Sequence, residues 1–253
     1  MEPQAYDEMR ALEDHHWWFR GRRTVVQPLV EEALAPEERG ILLDVGCGTG
    51  GNLAYLERLR PRWKILGLEL DRNALRHAAG RALGSQLLCA TGTRIPIRDG
   101  AVECVTAFDV IEHFRDDRGL LREIHRVLSP GGRLVATVPA YPALHSPHDD
   151  ALHHMRRYRT GELEALMGEA GFEVVRRHGF NFVLLPAIAT ARWVKTMRER
   201  LRPENGRAPT TDFFVMPAPL DAMMDWVFRF ERWLVDRVPL GFGTSFVIRA
   251  RKP

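Results

Sequence analysis

Apolar and polar positions divide most of the chain into short buried runs that alternate with amphipathic stretches. The run over 41–45 is continuous rather than alternating, so it predicts a strand covered on both faces. Leu53, Leu56 and Leu59 then mark one face of a helix over 52–60. Further strands are predicted over 63–69, 86–90, 102–109, 133–138, 172–180 and 244–250. Helices are predicted over 24–34, closed by Pro36, over 71–81 with Asp71 as N-cap, and over 116–128 and 161–170. Leu120, Leu121, Ile124, Val127 and Leu128 form the apolar side of the third of these. Strand and helix alternating over short links predict a parallel, doubly wound α/β sheet. Ligands on such sheets sit at the carboxyl ends of the strands, which here gathers Asp44, Glu69, Thr91, Asp109 and Pro139 around one crevice. Between the last two strands lies an insertion, 181–243, with predicted helices over 183–202 and 220–238 and a Pro/Gly/Asn-rich connector over 203–219.

Composition narrows the picture only modestly. The chain has 253 residues, 45% hydrophobic and 27% charged, enough to bury a core without disulfides. Cys47, Cys89 and Cys104 fall in or beside predicted strands without metal-ligand spacing, so buried free thiols and a cytoplasmic location are expected. Residues 1–14 are polar and carry no signal-peptide core. The window 180–194 is interrupted by Asn181, Pro186 and Arg192 and is too short to span a bilayer. A net charge of +3, with no basic stripe interleaved with aromatics, gives no reason to expect a nucleic-acid partner.

Candidate chemistry starts at the glycine loop after the first strand. Gly46, Gly48 and Gly51 fit G-x-G-x-x-G, a dinucleotide fingerprint; Asp44 with Gly46, Gly48 and Gly50 fits D-x-G-x-G-x-G. Glu69, at the end of the second strand, suits a ribose hydroxyl under either pattern. The order of later motifs separates them: Phe108-Asp109-Val110-Ile111-Glu112-His113 after strand four and Leu128-Ser129-Pro130-Gly131-Gly132-Arg133-Leu134 before strand five. With the glycine loop and Glu69, this set resembles the class I S-adenosylmethionine (SAM)-dependent methyltransferases of the type 11 group, from about 40 to 175 with a final strand over 244–250. His16-Trp17-Trp18-Phe19 is similar to a segment in one branch of that group.

The resemblance implies a Rossmann-like, doubly wound, mostly parallel seven-stranded sheet, its last strand antiparallel and a helical cap inserted before it. It implies SAM as cofactor. Asp44, Gly46, Gly48 and Gly50 would contact its amino-acid part, Glu69 its ribose and Leu70 its adenine; Asp109 would lie beside the methionine moiety. Thr91 and Gly92 stand where the family commonly has an adenine-binding aspartate. Trp18 and Arg22 are expected in a lid over the cofactor. The organisation expected is a lid or helical segment over 1–39, the SAM-binding core over 40–180, the cap over 181–243 and the final strand over 244–253.

For the acceptor, the expectation is a small molecule with an apolar part, methylated on oxygen; N-methylation and SAM binding without turnover are the alternatives. Removing a hydroxyl proton near pH 7 suits histidine. His145, His148, Asp149 and His153 lie in a polar segment, 141–158, after strand five. His148 is expected as base with Asp149 orienting it or bonding the substrate, and His145 and His153 are its rivals. Arg156, Arg157 and Tyr158 would bind an acidic substrate group or tie the segment to the domain. Asp109, Glu112 and His113, at i, i+3 and i+4, could share a helical face around a divalent ion; Glu-His without a metal is common in the group, so no metal is expected. The two insertion helices are expected to cap the site, with a membrane-surface or partner-binding face as the alternative. Phe213, Phe214 and Met216 suggest an apolar enclosure.

Overall fold

The computed structural model describes residues 3–34, 38–81, 84–201, 216–238 and 240–253. Helices α1 (Pro3–Leu12) and α2 (Trp17–Leu34) lead into β1 (Ile41–Val45), α3 (Gly51–Leu59), β2 (Lys64–Glu69), α4 (Arg72–Ala79), β3 (Gln86–Cys89) and β4 (Val102–Phe108). After these come α5 (Asp117–Val127), β5 (Leu128–Pro139), α6 (Pro147–Ala151), α7 (Glu162–Glu169), β6 (Glu173–Phe180), α8 (Leu185–Leu201), α9 (Ala218–Val235) and β7 (Ser245–Arg251). The strands form one sheet in the order β3-β2-β1-β4-β5-β7-β6. Its first five members pair in parallel, and β7 enters antiparallel between β5 and β6, as expected.

The alternation of Cβ directions along β1 divides the core. Leu43 and Val45 join one apolar layer with Leu120, Ile124, Leu163 and Met167 of α5 and α7. Leu42 joins the other, with Val25 and Leu29 of α2, Leu53 of α3 and Phe228 of α9. Each such leucine, fully buried, contributes roughly 1.5–3 kcal/mol.

Most element bounds match expectation to within two residues; α9 ends three residues early, and α2 and β5 begin well before their expected starts. The helix expected over 24–34 begins at Trp17, so the aromatic cluster lies on α2 itself. The strand expected over 133–138 begins at Leu128, so 130–132 lie inside β5: Leu128 pairs with Val102, and pairing resumes at Arg133 opposite Cys104. Gly131 bridges the irregularity at φ 76° and donates its N–H to the Lys252 carbonyl, a conformation that suits glycine. Cys47 and Cys104 are buried, but Cys89 is exposed, because β3 is an edge strand.

The excursion between β6 and β7 docks on the N-terminal helix. Arg20 of α2 reaches Asp221 and Asp225 of α9 at 2.7 and 2.8 Å. Gly21 supplies the close approach: a Cβ there would collide with the Phe228 ring. Buried Glu231 on α9 accepts the backbone N–H of Asn181 (2.5 Å) and of Val183 (2.9 Å), fastening the helix to the exit of β6. On the opposite face of α9, Trp226, Phe230 and Trp233 form an exposed stacked row. Pro36, Arg202, Phe213 and Phe214, and the side chains of Lys195, Arg198 and Arg200, lie outside the described residues.

Candidate active site

A cavity of about 1000 Å³ opens at the carboxyl ends of β1, β2, β4 and β5. β1 carries Asp44 just before the cavity-lining Val45; Asp44 is 1% exposed and lies behind the lining, not in it at the crevice where the sequence places it. Its Oδ1 accepts from Thr106 Oγ1 at 2.6 Å, while Oδ2 has no hydrogen-bond partner among the described residues. Burial pushes the Asp44 carboxyl up to about 7, against the lowering effect of the Thr106 bond and of Arg22. The chain then turns through the glycine loop. Gly50 sits at φ 88°, and a Cβ there would come within 2.9 Å of the Ala78 Cα on α4. Gly48, at φ 54°, has nothing within 4 Å of its Cβ position, so the loop offers bare backbone to the cavity.

Glu69 ends β2 and lines the cavity. It accepts N–H groups of Gly48 (3.1 Å), Leu70 (2.7 Å) and Asp71 (3.0 Å), which holds its carboxylate across the loop. Leu70 lines the same wall at 66% exposed, with Thr91 and Gly92 beyond it. A carboxylate beside an uncovered apolar side chain suits a ribose next to a flat base. The unpartnered Asp44 oxygen and the bare glycine backbone suit an amino-acid group. These residues therefore fit SAM.

Asp109 follows β4 at φ 55°. Thr137 of β5 holds it, donating to Oδ1 at 2.9 Å, and the buried Arg22 guanidinium pairs with its other oxygen. Arg22 also reaches Asn52 Oδ1 (3.3 Å) and lies over the Phe19 and Phe108 rings. Trp17, Trp18 and Phe19 are consecutive, yet all three line the cavity. They do so because Phe228 of α9 reaches Trp17 and Trp18 while Trp18 stacks on Phe180 of β6, 6.0 Å away. Glu13, with no sequence signal to single it out, is nearly buried after α1. It accepts from Thr49 Oγ1 at 2.5 Å and from Arg81 at 2.6 Å, which ties the N-terminal segment to the glycine loop and α4.

The segment 140–158 closes the far side. Its ends are clamped: Tyr158 donates its N–H to the Pro139 carbonyl (2.9 Å), and Arg157 donates to the Ala140 carbonyl (2.9 Å). Arg156 and the Tyr158 hydroxyl both bind Asp117 of α5, so they anchor the segment. His148, His153 and His154 line the cavity; His145 does not, and instead faces Asp150 at 3.6 Å. Asp149 is fully buried, and its described partner among the histidines is His154, whose Nδ1 lies 3.0 Å from Oδ1. It also takes Arg157 (2.8 Å) and the Ser146 N–H (2.9 Å). Burial would raise the Asp149 carboxyl, but the His154 bond and the Arg157 and Arg192 cations hold it well below the usual carboxylate range.

Beneath this segment lies Glu112, fully buried, with neither carboxylate oxygen hydrogen-bonded among the described residues. Burial and the nearby Asp109 charge raise it well above its ordinary value. His113 lines the cavity above it, and burial and His154 lower its imidazole to about 4. Three cavity-lining residues other than glycine, Asp109, His153 and Asn181, occupy the left-handed region at φ 55–58°. Each costs about 1–3 kcal/mol, a strain concentrated where side chains are aimed.

A family model described as a methyltransferase domain matches residues 43–136. A protein of Mycolicibacterium smegmatis named as a probable S-adenosylmethionine-dependent methyltransferase is 27% identical over 227 residues, 82% of this chain and 84% of the relative. A demethylmenaquinone methyltransferase of Thermus thermophilus is 33% identical over 134 residues, 51% of this chain and 59% of that one. The fold is shared with phosphoethanolamine N-methyltransferase 2 of Haemonchus contortus, solved with SAM bound. The TM-score is 0.58 at 16% identity, covering 90% of this chain and 52% of the other. The match over 43–136 and these relatives support a class I SAM-dependent methyltransferase of the type 11 group, with SAM as its cofactor.

Proposed function

We propose that the chain methylates a hydroxyl of a small molecule that has an apolar part, with His148 accepting the proton. The supporting observation is that the segment 140–158 brings His148 to the cavity that Asp109 and the glycine loop share. The same cavity is lined by apolar residues of the excursion, Leu184, Ile188, Met216 and Met224, suited to the remainder of such an acceptor. A relative named for demethylmenaquinone supports a small acceptor. In this reading 1–39 is the lid, with Trp18 and Arg22 over the cofactor, 40–180 the core, 181–243 the cap and 244–253 the closing strand.

When bound, SAM supplies an electrophilic methyl on a sulfonium. The His148 imidazole would take the acceptor's proton as the acceptor oxygen receives that methyl. Asp44, Glu69 and the glycine backbone hold the cofactor. Such alignment alone contributes roughly 7–11 kcal/mol in favourable systems. The aromatic wall excludes water.

Purified protein incubated with SAM and a library of hydroxylated and amino metabolites should release S-adenosylhomocysteine with the hydroxylated members. His148→Ala should lower turnover about 100-fold, within the range of a general base, with SAM affinity unchanged. Product with amines alone would shift the reading to N-methylation. Tight SAM binding with no product from any acceptor would favour the non-catalytic alternative. Full activity of His148→Ala would move the base to His153.

A further inference from the structure

We propose that Glu112, His113 and His154 bind a divalent transition-metal ion on the wall of the cavity, beside the place of methyl transfer. Each residue brings one ligand atom, and the three atoms lie within 4.8 Å of one another. Two come from the short helical turn Ile111–His113 after β4 and one from the segment after β5, so a tertiary contact makes the set. That contact is fixed by backbone: Met155 donates its N–H to the Glu112 carbonyl at 3.0 Å, which seats His154 against Glu112.

The imidazoles are oriented as ligands. The His154 Nδ1–H donates to Asp149 at 3.0 Å, and the His113 Nδ1–H donates to the His153 carbonyl at 3.2 Å. In both rings Nε2 is left as the lone-pair nitrogen, the arrangement that carboxylate and carbonyl partners impose on metal-binding histidines. The His154 Nε2 lies 3.8 Å from Glu112 Oε1, too far for a direct hydrogen bond but suited to two donors flanking one ion. Glu112 supplies a second, independent observation. It is fully buried, and neither oxygen is hydrogen-bonded among the described residues, an arrangement that costs free energy unless something charged completes it. Asp109, which shares the sequence spacing of Glu112 and His113 where no metal was expected, is engaged by Arg22 and Thr137; His154, some forty residues downstream, completes the set in its place.

Two imidazoles and one carboxylate favour borderline ions such as Zn²⁺ or Co²⁺ over Mg²⁺ or Ca²⁺, which take oxygen ligands. Three protein ligands leave coordination positions open, and His113 and His154 both line the cavity. On the proposed O-methylation, on which this role rests, the acceptor hydroxyl completes the shell and ionises more readily, its proton passing to His148. The acceptors this favours carry a hydroxyl with a second oxygen beside it, able to chelate.

The test begins with the full chain dialysed against chelator and titrated with Zn²⁺ by calorimetry and with Co²⁺ by visible absorption. One ion per chain is expected, with Mg²⁺ at least tenfold weaker. Glu112→Gln and His113→Ala should each weaken uptake at least tenfold, while His125→Ala, on α5, leaves it unchanged. S-adenosylhomocysteine affinity, measured on every variant, reports an intact fold and cofactor site independently of the ion. Cofactor binding without Zn²⁺ or Co²⁺ uptake, uptake that survives both substitutions, or equal preference for Mg²⁺ would overturn the metal site and leave the methyltransferase reading standing. Metal uptake with no methylation of any hydroxyl would overturn the role given to the ion and the O-methylation reading, but not the site.

Discussion

Asp149→Asn removes one negative charge from the centre of the segment that closes the cavity, and its cost follows from what stays behind. The carboxylate is fully buried and meets Arg157, itself nearly buried, at 2.8 Å, with His154 at 3.0 Å and the Ser146 N–H at 2.9 Å. An asparagine of the same shape keeps one acceptor and leaves the guanidinium without its counter-charge. Breaking such a buried pair costs about 3–5 kcal/mol. In a chain of this length that lowers the midpoint of thermal unfolding by roughly 6–20 °C, at about 2–4 °C per kcal/mol. The sign with pH follows from the depressed carboxyl. The folded protein keeps Asp149 ionised to lower pH than the unfolded chain does. Its contribution is therefore full above the unfolded value, near about 4, and is lost as pH falls from there through the folded value. Urea unfolding at pH 7 and at several points below pH 5 should show the variant weaker at pH 7, with a shallower loss toward acid. A cycle with Arg157→Met isolates the pair and should give a coupling above about 1 kcal/mol. A variant within about 0.5 kcal/mol of the parent at pH 7 would refute the claim that this ion pair holds the segment in place.

Three further outcomes follow from the cofactor side. Glu69→Ala should weaken SAM binding by roughly 10–100-fold, the worth of a charge-assisted hydrogen bond, with the fold retained; unchanged affinity by calorimetry would remove Glu69 from the site. Asp44, raised to about 7 by burial, stays protonated in the folded protein where the unfolded chain has already ionised; stability without cofactor should fall as pH rises from about 4 toward 7, and Asp44→Asn should flatten that slope in chemical denaturation. Gly50→Ala should cost about 1–3 kcal/mol through its positive φ and the collision with Ala78, read as a lower urea midpoint; a neutral result would mean the loop can refold around a side chain.

Much of this architecture was legible in order and spacing. The run before the glycine loop could only be a buried strand, and Glu69 and Asp109 fell at strand ends because a doubly wound sheet puts its loops there. Pairings that depend on side chains far apart in the chain were not legible. Nothing local to Glu13 signals that it will meet Thr49 and Arg81. The histidines after β5 announced themselves as a cluster, but their period does not say which of them turns inward; a left-handed residue at His153 helps decide it. His145 leaves the cavity for Asp150, and Asp149 meets His154, the one histidine of the segment not singled out beforehand. For the docking of α9 the signal was a glycine in mid-helix, Gly21, where a large ring was going to lie.

Phe180 and Ser245, the last residue of β6 and the first of β7, sit opposite one another in the ladder, so the long excursion leaves the sheet and re-enters it at the same threshold. Loop-closure entropy for a segment whose ends are already neighbours grows only slowly with its length. Helices can thus be lengthened, shortened or exchanged there without moving a single strand register, whereas the glycine turn and its acids admit almost no variation. On the proposed reading of the excursion as a cap, the fold keeps the methyl donor's seat constant and leaves acceptor choice to a replaceable module, so a paralogue with this core could diverge in substrate while its chemistry stays the same.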